Sequence, residues 1–191
     1  EADESLRQIS GIDSDTFEKT STAIKTRGFW LGTNLLTALI AASVINIFKE
    51  TLEQVIFLAV LMPIIASMGG VAATQTLTIT VRGLALGQIV RANYLYIFNR
   101  ELMVGISNGF IWAVILSLIA CSWFQDWLLA WVICLSMIIN LIAGVLSGMG
   151  IPILLKGLKM DPAVAGSVIV TTVTDVIGFF SFLGLATYFY S

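Results

Sequence analysis

"DPAVAGSVIVTTVTDVIGFFSFLGLATYFY", residues 161 to 190, runs from Pro162 to Tyr190 with a single charged side chain, Asp175. About 20 mainly apolar residues suffice to cross a hydrocarbon core of ~30 Å as a helix, so this stretch predicts a membrane span with a carboxylate inside it. Counted from Ala163 at ~1.5 Å per residue, Asp175 lies ~18 Å along that helix, slightly past the middle of the core. A carboxylate at that depth costs at least ~2.5 kcal/mol on insertion scales. It therefore faces a partner, a cavity or an ion pathway.

The rest of the chain agrees with the membrane reading. Of its 191 residues 58% are hydrophobic and 12% charged, and the mean hydropathy is +0.95, outside the range of ordinary soluble domains. Four further segments reach spanning length, at about 29–48, 55–80, 102–124 and 127–155. The expected fold is an all-α polytopic membrane protein with five transmembrane helices. Pro63 and the Gly69-Gly70 pair predict a break or kink in the second span. Gly148, Gly150 and Pro152 allow a tilt or an interfacial turn in the fourth.

Basic residues set the direction. Arg7, Lys19, Lys25 and Arg27 precede the first span, Arg82, Arg91 and Arg100 lie between the second and third, and Lys156 and Lys159 between the fourth and fifth. Lys49 alone falls on the other side. Nine of ten basic residues thus favour an amino terminus in the cytoplasm and a carboxyl terminus outside a plasma (inner) membrane. Trp30, Trp123, Trp127, Phe124 and Tyr188 fall near span ends, where amphipathic rings settle at the headgroups. Ahead of residue 20 the chain carries Glu1, Asp3, Glu4, Asp13, Asp15 and Glu18, half of its 12 acidic residues. Residues 1–28 therefore read as a cytosolic acidic lead-in to a membrane unit over 29–191. The start lacks a basic stretch followed by a short apolar core, and the chain reads as a piece of a longer protein.

Composition also removes function classes. The chain has no histidine, and its two cysteines, Cys121 and Cys134, are widely spaced in apolar surroundings. Zinc sites and Ser/His or Cys/His nucleophiles are disfavoured, and the cysteines read as packing residues. A two-aspartate protease would need its second carboxylate from another subunit, so an enzyme is not expected. With a net charge of -2 and singly scattered lysines and arginines, nucleic acid is discarded as a partner.

Uncharged polar residues concentrate in two places. One is "PIIASMGGVAATQTLTITVRG", residues 63 to 83. Any one threonine there reads as helix packing or an interhelical hydrogen bond. The combination of a proline, a glycine pair and an amide also fits a helix interrupted beside water. The other is the face that carries Thr171, Asp175, Gly178 and Phe182 at helical spacing. No lysine or arginine in the other spans is deep enough to pair with Asp175. A protonated aspartate bonding across helices, a proton-carrying site and a cation site all stay open.

The residues "PIIASMGGVAATQTLTITVRGLALGQI" (63 to 89) resemble the central motif of the MgtE family of magnesium channels, and "DPAVAGSVIVTTVTDVIGF" (161 to 179) resembles its last span. Asn140, Pro152, the Asp161-Pro162 pair and the five-span count fall at matching places. The resemblance implies a homodimer whose second and fifth spans line a central pore, with Mg²⁺ as the transported ion. In that reading Asp175 binds metal from each subunit, assisted by Thr171. Thr172, Thr174, Gly178, Gln75, Thr74, Gly69, Gly70 and Asn140 are the pore-lining candidates. The opening "EADESLRQISGID" is similar to the stretch between the family's cytosolic CBS-type regulatory domains and its connecting, plug-like helix. Those sensor domains are absent from this sequence, so gating by cytosolic Mg²⁺ is expected to be lost or altered. An exchanger for Mg²⁺, Co²⁺ or Mn²⁺ coupled to Na⁺ or H⁺, and a non-conducting membrane assembly domain, are the alternatives. Two positions depart from the family pattern: Val71 stands where asparagine is usual, and Val168 where proline is common.

Overall fold

The computed structural model describes residues 19–158 and 162–190, and the first 18 residues of the expected acidic lead-in lie outside them. Among the described residues six helices follow one another: α1 (Thr20–Ile47), α2 (Lys49–Gln54), α3 (Phe57–Ala85), α4 (Tyr94–Phe124), α5 (Trp127–Gly157) and α6 (Pro162–Tyr190). Among the described residues there is no strand. All helices except α2 are long and apolar enough to cross a membrane, as expected for an all-α membrane protein. The short α2, KETLEQ, joins the first two spans.

Hydropathy located the spans but clipped their polar ends. Helix α1 begins at Thr20 and α4 at Tyr94, each about two turns before the apolar run. Hydrogen-bonded turns continue through polar residues once nucleated, and long basic side chains such as Lys25 and Arg27 reach the interface. Before α4, Asn93 closes the connection by accepting from the Val90 amide at 2.9 Å and donating to the Gln88 carbonyl at 2.7 Å.

Helix α5 is the centre of the bundle. It packs against α3, α4 and α6, α1 leans on α6, and α3 and α4 barely touch. Lipid offers little hydrophobic incentive for helices to associate, so close packing has to come from small residues that let backbones approach. The α3–α5 crossing is built that way. A Cβ added to Gly144 would lie 2.9 Å from the Gly69 carbonyl oxygen, and one added to Gly148 would lie 2.5 Å from that of Ala73. Helix α4 uses the same device, with Gly105, Gly109, Ala113 and Ser117 buried at every fourth position. Leu35, Leu36 and Leu39 of α1 remain exposed, as lipid-facing side chains do.

The expected break in the second span and the interfacial turn in the fourth are absent. Helix α3 runs unbroken through Pro63 and the glycine pair, and α5 runs unbroken through Gly148, Gly150 and Pro152. Each proline removes one N–H from its helix, but the remaining hydrogen bonds and the packing on both sides carry the helix past it. Gly69 and Gly148 serve close approach, not a turn.

The ends of α5 and α6 are tied together. Asp126 caps α5 by accepting from the Leu128 and Leu129 amides at 2.8 and 3.1 Å, and the Tyr190 hydroxyl donates to its other carboxylate oxygen. Near the same end, Thr51 of α2 and Thr187 of α6 hydrogen-bond at 2.7 Å.

Candidate functional site

Helix α6 divides its polar residues between two faces. Val170, Thr174, Gly178 and Phe182, four apart, point into the bundle, and Val170, Thr174 and Phe182 are fully buried. Thr171, Thr172 and Asp175 sit at the rim of that stripe and are half-buried. The sequence grouped Asp175 with Gly178 and Phe182. The structure buries Gly178 and Phe182 and leaves Asp175 half-buried; Gly178, three positions on, lies ~60° around the helix from Asp175.

Among the described residues, Asp175 has no hydrogen-bond donor and no basic partner within ion-pair distance. The hydroxyls near it are turned back onto their own helix. Thr171 donates to the Ser167 carbonyl at 2.9 Å, Thr172 to Val168 at 2.6 Å, and Thr174 to Thr171 at 2.9 Å. Each proton is consumed by backbone, which leaves the oxygen lone pairs as the outward chemistry. That surface accepts hydrogen bonds and suits cations or their water shells.

Opposite lies the exposed face of α3. Thr74 donates to the Gly70 carbonyl and Thr78 to that of Thr74, both at 2.8 Å, so the same acceptor pattern repeats there. Gly70, Val71, Thr74, Gln75 and Thr78 line an open groove of about 600 Å³ that Thr171 closes from α6. A Cβ on Gly70 would stand 3.9 Å from the Thr174 hydroxyl oxygen, which sets Gly70 level with Thr174 and therefore beside Asp175 in height. Val71 is 52% exposed in this groove.

Asn140 and Gly69 lie elsewhere. Asn140 of α5 is fully buried and donates to the Ile65 carbonyl of α3 at 2.8 Å. Its side chain is wedged between Gly69 and Gly178, where added Cβ atoms would lie 2.2 and 2.7 Å from its Nδ2. Of the ten residues singled out from sequence, Thr171, Thr74, Gln75 and Gly70 come together at the groove, while Thr172 and Asp175, the latter one turn after Thr171 on α6, are half-buried outside its lining. Gly69, Asn140, Thr174 and Gly178 form the packed seam behind it.

Sequence reasoning missed Glu101. It was placed just outside the third span, but α4 begins seven residues earlier, and Glu101 is 4% exposed within it. Its register was the available signal: it continues the every-fourth stripe of Gly105, Gly109, Ala113 and Ser117. Among the described residues no group of three or more histidines, cysteines or carboxylates forms a metal cluster within one chain.

Residues 62–185, most of this helical unit, match the sequence profile of MgtE, described as a divalent cation transporter. The chain belongs to the MgtE family. It is 34% identical over 99% of its length to the magnesium transporter MgtE of Bacillus subtilis, 28% identical over 95% to that of Enterococcus faecalis, and 29% identical over 82% to that of Thermus thermophilus. It spans 42%, 40% and 35% of those proteins' own lengths, so it corresponds to the membrane part of longer MgtE chains. The match begins inside α3 at Met62 and ends near the close of α6, and so takes in both walls of the groove.

Proposed function

We propose that this chain is the ion-conducting unit of a magnesium channel in the plasma membrane, working as a homodimer with the α3–α6 groove of each copy facing a shared path. The observation that carries this reading is Asp175: a carboxylate near mid-membrane, without a basic or donor partner among the described residues, beside a groove whose polar atoms are mostly acceptors. The names of the relatives support the choice of cargo.

The mechanism follows from charge and hydration. One carboxylate does not neutralise a divalent ion, whereas a two-fold axis brings two copies of Asp175 to one site. Mg²⁺ gives up its water reluctantly and usually keeps several molecules of its shell. Asp175 and the lone pairs of Thr171, Thr74 and Thr78 then hold the ion through water. Discrimination comes from groove width as well as charge.

The test is ion flux into liposomes containing purified protein. Wild-type protein is expected to pass Mg²⁺ down its electrochemical gradient with no required counter-ion. Asp175→Asn is expected to lose most of that flux while remaining folded and dimeric. Equal flux through the variant overturns the assignment, and obligatory dependence on Na⁺ or H⁺ moves it to an exchanger.

A further inference from the structure

A second cleft opens on the far side of α3. Helices α3 and α4 both lean on α5 without closing on each other, which leaves a gap of about 350 Å³ lined by Gln75 and Thr76 of α3 and by Glu101, Asn108 and Trp112 of α4. By volume it holds about ten waters at ~30 Å³ each, ample room for a cation with its shell. Val71, Gln75 and Ile79 line this cleft and the Asp175 groove alike, so one helix separates the two.

Glu101 is out of place as a packing residue. The next four positions of its stripe are small and seat α4 on α5. Gly105 is so close that an added Cβ would lie 2.4 Å from Val145. Glu101 instead puts a carboxylate with a side chain 6% exposed at the end of the cleft. The nearest cation, Arg100, stands 4.0 Å away on a side chain 64% exposed, a geometry that supplies little neutralisation. The other polar groups that line the cleft carry acceptor oxygens. Asn108 spends its amide N–H on the Val104 carbonyl at 3.0 Å, leaving Oδ1 open, and the Gln75 side chain makes no hydrogen bond among the described residues. One carboxylate, two amide oxygens and a hydroxyl form a hard oxygen set, the kind that Mg²⁺ and Mn²⁺ take and softer metals do not.

We infer that the cleft between α3 and α4 is a second cation site in each subunit, holding a hydrated divalent ion on Glu101 with Asn108 and Gln75, separate from Asp175. An ion there bears on Gln75 and so on the wall that the two clefts share. The inference does not depend on Asp175, and its test is arranged accordingly.

Trp112 is the one tryptophan that lines this cleft. In full-length chain carrying Asp175→Asn, with Trp30, Trp123, Trp127 and Trp131 changed to Phe, Mn²⁺ is expected to quench Trp112 fluorescence saturably, and Mg²⁺ to reverse the quenching. Adding Glu101→Gln is expected to weaken the apparent affinity by about tenfold or more, since it removes the only full charge among the ligands. Asn108→Leu, at an exposed position that leaves packing alone, is expected to weaken it several-fold. Absence of saturable quenching in the protein that retains Glu101 overturns the inference, whether or not Glu101→Gln folds. Quenching that neither variant weakens overturns it too. Flux through Asp175→Asn is read separately, so failure of one site is not mistaken for failure of the other.

Discussion

The side-chain amide of Asn140 occupies the space that a side chain on Gly69 would need: a Cβ there would lie 2.2 Å from Asn140 Nδ2. The same amide holds the Ile65 carbonyl one turn earlier on α3 and abuts Gly178 on α6. A single residue of α5 thus packs against both helices that flank the groove, and their spacing sets the groove's width.

Gly69→Ala forces that contact apart and is expected to cost about 1–3 kcal/mol, the range for overpacked sites. Gly70→Ala meets nothing nearer than 3.9 Å and is expected to leave stability unchanged while narrowing the groove. Thermal unfolding in detergent, read beside Mg²⁺ flux, separates the two. A lower melting temperature is expected for Gly69→Ala, and reduced flux at normal stability for Gly70→Ala.

Val71→Asn tests the departure from the family pattern. Val71 is 52% exposed in the groove, so an amide there buries no polar group and stability is expected to hold. The amide adds a donor and an acceptor for the ion's water shell, and the expected outcome is greater Mg²⁺ flux relative to Mn²⁺ and Co²⁺ in competition assays.

Magnesium itself is expected to stabilise the fold. An ion that binds only the native state adds RT ln(1 + [L]/Kd), about 2.7 kcal/mol at a hundredfold excess over Kd. A melting temperature that rises with Mg²⁺ and falls on chelation is expected for wild type. Asp175→Asn is expected to show a smaller rise, and the remainder to shrink further when Glu101→Gln is added.

Acid is expected to loosen the carboxyl-terminal end of α6. Burial pushes the Asp126 carboxyl up, but hydrogen bonds from Tyr190 and from the Leu129 and Leu128 amides outweigh it and hold the group below its ordinary value. A carboxylate depressed in the folded state contributes stability above its unfolded pKa of about 3.9 and loses it as pH falls through the folded value. Tyr190→Phe removes one of these bonds and is expected to cost about 1 kcal/mol at neutral pH. The gap between wild type and variant is expected to close between about pH 5 and pH 2. Melting curves across that range check the sign.

Composition and periodicity were enough for the class of fold and the five spans. Those properties depend on one residue and its neighbours along the chain: a bilayer demands ~20 apolar residues whatever the helices pack against, and a charge within them is conspicuous anywhere. Helix ends were legible only to within two turns, because hydropathy marks where lipid begins and not where hydrogen bonding stops.

Contacts between helices were not legible. Gly69 and Gly70 are adjacent and chemically identical, yet one is filled by Asn140 and the other opens on the groove. Pro63 suggested a break or kink and Pro152 a tilt or interfacial turn, yet both helices continue through them. Glu101 fell just outside the third expected span, whereas α4 begins at Tyr94 and carries it into a cleft. The sequence by itself determined that this is an all-α protein with five helices long and apolar enough to cross a membrane, and that Asp175 lies within the last of them. Only the tertiary structure decided which polar side chains face open space and which are sealed in the seam, because that depends on how each helix rotates against its neighbours, and small residues allow close approach on more than one face.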